Sequence, residues 1–149
     1  MPISGGIGRG EEAKPSMSDV ILKQYADLLA STALAHVATV GPDGAPQSSP
    51  VWFDWDGTFL RFAQVTGYQQ KVRNLEREPR IALSIVDPAN PYRYLEVRGA
   101  VERIEPDPDW AFINAMARKY LGQDHYPFGK PGDEWMIVVI RPERTTQMG

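Results

Sequence analysis

The run Pro46-Gln47-Ser48-Ser49-Pro50-Val51-Trp52-Phe53-Asp54-Trp55 decides the fold. In an extended chain successive side chains point to opposite faces, so Val51, Phe53 and Trp55 share one face while Trp52 and Asp54 take the other. Residues 46–55 therefore read as one half-buried strand. On its N-terminal side, residues 34–40 form a strand closed by Gly41-Pro42-Asp43-Gly44, whose glycines and proline mark a hairpin turn. On its C-terminal side, Asp56-Gly57 turns the chain into a strand over 58–64. Three successive strands are thus expected as antiparallel neighbours.

Thr66-Gly67-Tyr68-Gln69 has the form of a capping box, in which Thr66 receives the backbone amide of Gln69 and starts a helix that runs to about residue 77. Pro79 ends it. Residues 80–86 are the fourth strand and 87–91 a connection. The fifth strand, 94–104, sets Leu95, Val97 and Val101 on one face and Glu96, Arg98 and Glu102 on the other. Asp107 followed by Pro108 starts a second long helix, whose apolar stripe is Trp110, Ile113, Met116, Ala117, Tyr120 and Leu121. A loop rich in proline and glycine covers 123–133, and 135–140, apolar on both faces, reads as a sixth strand buried on both sides. Near the N-terminus, Ser18 or Asp19 caps a helix over 20–30 carrying Ile21, Tyr25, Leu28 and Leu29. Six mostly antiparallel strands with three flanking helices, no repeated βα unit and no internal repeat define an α+β domain built on a closed or split β-barrel.

At 149 residues the chain is long enough for one domain with a real core, assigned to 18–149, with 1–17 as a disordered arm. It has no cysteine, which excludes thiol redox chemistry, thiolate metal sites and disulfides and agrees with a cytoplasmic location. A formal net charge of -3 argues against a nucleic-acid binder. The first sixteen residues lack the apolar core of a signal peptide, and no apolar run has membrane-spanning length.

The helix entered at Thr66 offers unpaired amides and partial positive charge, and Lys71 adds an ammonium one turn on. A capped surface helix with a solvated lysine accounts for the same residues, and Arg73 and Arg77 read as solvated. Ser48, Ser49 and Trp52 form either the outward face of a strand or the wall of a ring-shaped site; an outward tryptophan calls for cover by a ring or a second subunit. Tyr92, Arg93 and Tyr94 are either an aromatic anchor for their loop or a lid. His36 reads as structural, and His125 beside Tyr126 is weak as a catalytic group. Gly5-Gly6-x-Gly8 lacks the preceding strand of a nucleotide fingerprint, and no metal-ligating or Ser-His-Asp pattern is present. Side chains that offer so little chemistry favour a bound cofactor that carries the reaction.

The order Pro-x-Ser-Ser-Pro-Val-Trp-Phe, Thr-x4-Lys-x2-Asn-Leu, Pro-Arg and Tyr-Arg-Tyr-x-Glu-Val-x-Gly resembles the split-barrel flavin and deazaflavin oxidoreductases, the pyridoxamine phosphate oxidase superfamily. The similarity covers roughly residues 33–144. Lys-x-x-Asn-Leu and Asn90-Pro91-Tyr92-Arg93-Tyr94 look more like its small actinobacterial branch, which uses the deazaflavin coenzyme F-420, than like the flavin oxidases. Where the oxidases carry glutamine and arginine near the fifth strand, Tyr94 and Glu96 stand here.

The resemblance implies a homodimer with the site at the subunit interface. Thr66 and Lys71 would bind phosphate, Ser48, Ser49, Pro50, Val51 and Trp52 would line the ring, and Asn74 would contact the linker; in the lid reading of their loop, Tyr92 and Tyr94 would cover the ring. It implies hydride transfer from reduced F-420 to a small conjugated acceptor. The alternatives are an FMN-dependent oxidoreductase on the same fold and a non-catalytic carrier of the cofactor or another small molecule. No metal, nucleic acid or membrane partner is expected.

Overall fold

In the computed structural model, which describes residues 20–67 and 70–149, a short 3-10 turn (Lys23–Tyr25) leads into α1 (Ala26–Ala30). The chain then forms β1 (Ala35–Val40), β2 (Pro46–Val51), β3 (Asp54–Trp55) and β4 (Leu60–Val65). α2 (Gln70–Arg77), β5 (Arg80–Asp87), β6 (Asn90–Pro106), α3 (Ala111–Leu121) and β7 (Trp135–Met148) follow. The strands make one seven-stranded antiparallel sheet in the order β2-β1-β5-β6-β7-β4-β3. Its two edges, β2 and β3, are consecutive in the chain, so the covalent link through Trp52 and Phe53 closes the sheet into a split barrel.

That link corrects the expected six strands. Residues 46–55 keep one alternation throughout, with Phe53 fully buried and Val51 and Trp55 packed beside it in the core. The hydrogen bonding nevertheless changes partner midway: Pro46–Val51 pairs with β1, whereas Asp54 and Trp55 pair with Arg61 and Leu60 of β4. The run is one extended segment but two strands, and β4 is not a neighbour of β2. β6 and β7 are also longer than expected, at 17 and 14 residues, and pair along nearly their whole length. A bulge at Arg98/Gly99 interrupts them. A Cβ on Gly99 would come within 2.1 Å of the Arg141 carbonyl oxygen, so only glycine fits there.

The barrel interior is filled by Phe53, Leu60, Phe62, Leu83, Ile85, Leu95, Val97, Val138 and Ile140, all fully buried. Ile21, Tyr25, Leu28 and Leu29 join the same core, although the regular helix, expected over 20–30, is only five residues long. A second, smaller core lies outside the barrel, where Phe112, Ile113 and Met116 of α3 pack on Trp135. Trp135 to Ile140 is therefore apolar on both faces because one face meets the barrel core and the other meets α3.

α3 begins at Ala111, later than Asp107-Pro108 suggested, because residues 107–110 form a turn closed by the Trp110 amide on the Asp107 carbonyl at 3.1 Å. Asp107 still caps the helix: its buried carboxylate accepts from the amides of Ala111 at 3.1 Å and Phe112 at 2.8 Å. The expected arm over 1–17, the caps Ser18 and Asp19, and the capping-box residue Gln69 lie outside the described residues. Among the described residues no helix is long and apolar enough to cross a membrane.

Candidate functional site

Because β2 pairs with β1 and β3 with β4, β2 and β4 are not bonded to each other; the barrel has a seam there, and a cavity of about 430 Å³ opens along it. Pro50, Val51 and Trp52 form one side and Ala63 and Gln64 of β4 the other. Leu34 just ahead of β1, Ile113 and Met116 of α3, Trp135, and Tyr126 and Phe128 of the loop after α3 add to the wall. Lys71, in the first turn of α2, is the only charged residue among the described residues that line it.

The electrostatics follow from that setting. The Lys71 ammonium lies 5.4 Å from the centroid of the Phe62 ring, and burial pushes its pKa below the usual lysine range. Such an ammonium gains most from an anionic ligand that replaces the water it has lost. Trp52 supplies the flat wall: it stacks on Tyr120 with centroids 5.2 Å apart and planes within 5°, and Tyr126 meets its edge at 5.9 Å. Cover for Trp52 thus comes from α3 and its loop within the same chain, which corrects the argument that an outward tryptophan there requires a ring or a second subunit.

The loop is held in place. The Tyr126 amide donates to Asn114 Oδ1 at 2.8 Å, and Gly129 lies so close to the Trp110 ring that a Cβ would come within 2.4 Å of it. Trp110 is itself left-handed at φ 60°, a conformation unfavourable for a side chain of its size, and its ring is fixed edge-on against Trp135 at 6.1 Å. Phe128 is therefore presented at the cavity rim while 68% exposed. The Trp135 indole N–H is buried with no hydrogen-bond partner among the described residues.

Of the residues expected at the site, Pro50, Val51, Trp52 and Lys71 share this cavity. Ser48 is exposed and Ser49 half-buried on β2, opposite Ala38 and Val37, and neither lines the cavity. The half-buried Thr66 gives its amide to the Glu134 carbonyl at 2.8 Å and also lies outside the lining. Asn74 is fully buried: its amide donates to Thr39 Oγ1 at 2.9 Å and Gln47 Oε1 at 3.0 Å, and its oxygen accepts from Gln70 Nε2 at 2.8 Å. It pins α2 to the barrel rather than facing the cavity. Tyr92, 78% exposed, and the half-buried Tyr94 sit at the start of β6, away from the lining. Between them Arg93 ties that hairpin to α1 through Asp27 at 2.8 Å and pairs within the hairpin with Asp87 of β5 at 3.0 Å.

His36 and His125 are both exposed, and no cluster able to hold a metal ion occurs among the described residues. Gln64, Met116 and Phe128 were not legible as site residues. The only signal was the pair of aromatics around a proline, Tyr126-Pro127-Phe128, in an otherwise polar loop.

Comparison with known proteins bears on this geometry. No curated protein matches the chain. A solved structure described as an F-420 reductase is 44% identical, covering 85% of this chain and 98% of its own, with a TM-score of 0.75. HupZ of Group A Streptococcus, at 24% identity, covers 85% of this chain and 93% of its own with a TM-score of 0.61. A conserved hypothetical protein of Mycobacterium tuberculosis, at 23%, covers 91% and 89% with a TM-score of 0.68. These last two share the fold. The profile described as pyridoxamine 5'-phosphate oxidase matches residues 21–149, which takes in all seven strands, the seam and the cavity wall on α3. The chain belongs to the pyridoxamine 5'-phosphate oxidase family of split-barrel oxidoreductase-like proteins.

Proposed function

We propose that this chain is an oxidoreductase that uses reduced coenzyme F-420 to deliver hydride to a small conjugated organic acceptor. The observation that carries the reading is the donor set of the cavity: one desolvated ammonium, Lys71, in a wall that is otherwise apolar, aromatic or amide. A single cation matches the single charge of a phosphodiester better than the dianion of a terminal phosphate such as that of FMN. The similarity to a protein described as an F-420 reductase points the same way.

When bound, the deazaflavin ring supplies the hydride chemistry. Lys71 holds the phosphate end, Trp52 gives the ring a flat apolar surface, and Ile113, Met116 and Tyr126 exclude water from the reacting face. The working unit is a homodimer acting in the cytoplasm. In it Tyr92, Tyr94, Ser48 and Ser49 serve the site across the subunit interface, and Thr66 and Asn74 hold the start of α2 in position.

Titration of the purified protein with F-420 and with FMN, followed by turnover of a quinone with reduced F-420, tests the reading. F-420 should bind more tightly than FMN, and Lys71→Ala should weaken it about ten- to a hundred-fold, the worth of a charge-assisted bond of ~1.5–3 kcal/mol. Stoichiometric FMN in the purified protein, with no measurable F-420 binding, would overturn the choice of cofactor. Tight F-420 binding without turnover of any acceptor would make the protein a carrier.

A further inference from the structure

Between β2 and β3 the backbone N–H and C=O of Phe53 have left one ladder and not joined the next, and Phe53 is fully buried, so water cannot serve them. α3 serves them instead. The Tyr120 hydroxyl accepts from the Phe53 amide at 3.2 Å and donates its single proton to the Ala33 carbonyl at 2.7 Å. With that proton committed, its 3.3 Å contact to the Phe53 carbonyl is secondary. The carbonyl is taken by the Lys119 ammonium at 2.6 Å, which also donates to the Leu29 carbonyl at 3.1 Å. Lys119 lies 4.4 Å above the Phe53 ring and 5.0 Å above the Tyr120 ring, and the other face of Tyr120's neighbourhood is closed by the parallel stack with Trp52.

We infer that Lys119 and Tyr120 are positioning residues for the cavity, a clasp that fixes Phe53 at the strand crossover and so sets the plane of Trp52 against a bound ring. Neither residue lines the cavity. Their effect on a ligand passes through Trp52, the residue next to the clasped backbone. This inference rests on the cavity being the cofactor site.

The experiment measures F-420 affinity, by the fluorescence of the coenzyme, for Tyr120→Phe and Lys119→Met, each alone and combined with Trp52→Ala. Tyr120→Phe keeps the ring stack and loses the hydroxyl. Each single variant should weaken binding about five- to ten-fold, roughly the worth of one hydrogen bond. In the Trp52→Ala background the same changes should have less than a two-fold effect. Equal losses in both backgrounds, or no loss in the parent, would overturn the inference.

Two readouts need no coenzyme: hydrogen exchange of the Phe53 amide, and the 19F resonance of Trp52 in 5-fluorotryptophan-labelled protein, assigned with Trp52→Phe. Both should change in Tyr120→Phe. If the parent fails to bind F-420, the cofactor reading falls, and these readouts still decide the clasp. An unchanged Phe53 exchange rate and Trp52 resonance would refute it.

Discussion

Replacing Asn74 with alanine tests whether α2 is held by a buried amide or carries that amide for a ligand. The side chain is fully buried and engages three partners, Thr39, Gln47 and Gln70, of which Thr39 is itself buried. Losing the donor to a buried hydroxyl costs ~1–3 kcal/mol, and each of the two more exposed bonds adds ~0.5–1.5 kcal/mol at most. Allowing for rehydration of Gln47 and Gln70, Asn74→Ala should destabilise the protein by about 2–4 kcal/mol. For a domain of this size that lowers the melting temperature by about 5–15 °C. Urea unfolding followed by circular dichroism measures the change. Combining Asn74→Ala with Thr39→Val should cost less than the sum of the two, because the pair is coupled. An unfolding curve within ~0.5 kcal/mol of the parent would refute the pin and return Asn74 to the role of a ligand contact.

Lys71→Met should stabilise the ligand-free protein by about 0.5–1 kcal/mol while weakening F-420 binding, since a half-buried ammonium over the Phe62 ring favours ligand over fold. The sign with pH follows from burial. The folded pKa of Lys71 lies below its unfolded value of 10.5, so the unfolded chain binds the extra proton, and stability rises with pH between the two values. The parent should gain on Lys71→Met over that alkaline interval, and parallel unfolding curves across it would refute the assignment. Gly99→Ala, whose new methyl would meet the Arg141 carbonyl, should cost about 1–3 kcal/mol through a displaced bulge; an unchanged urea midpoint would show that β6 and β7 can part there.

Much of this protein follows from local pattern. Alternation in 94–104, the short run 80–86 after Pro79 and the continuous apolar run 135–140 marked three strands, and the turns at 41–44 and 56–57 marked their neighbours. Asp107 marked the start of α3, because a carboxylate ahead of a helix meets free amides wherever the helix lies. Lys71, Pro50, Val51 and Trp52, which the family resemblance implied at one site, line one cavity, whereas strand alternation alone sets Val51 and Trp52 on opposite faces.

The pairing of strands was not in that pattern. Residues 46–55 alternate without interruption, and nothing local distinguishes a strand bonded on one side from one that changes partner at Phe53, since the change depends on β1 and β4 arriving from elsewhere in the chain. The same holds for α2, where Lys71 and Asn74 lie three residues apart and were expected to serve one ligand. Which side of a helix meets the barrel is fixed by packing, and packing turned Asn74 into the core and left Lys71 beside the seam. The wall built by α3, Tyr126 and Phe128 depends most on tertiary structure. Its apolar residues read as an ordinary helix stripe and loop aromatics, and they face a cavity only because the barrel is split where α3 crosses it.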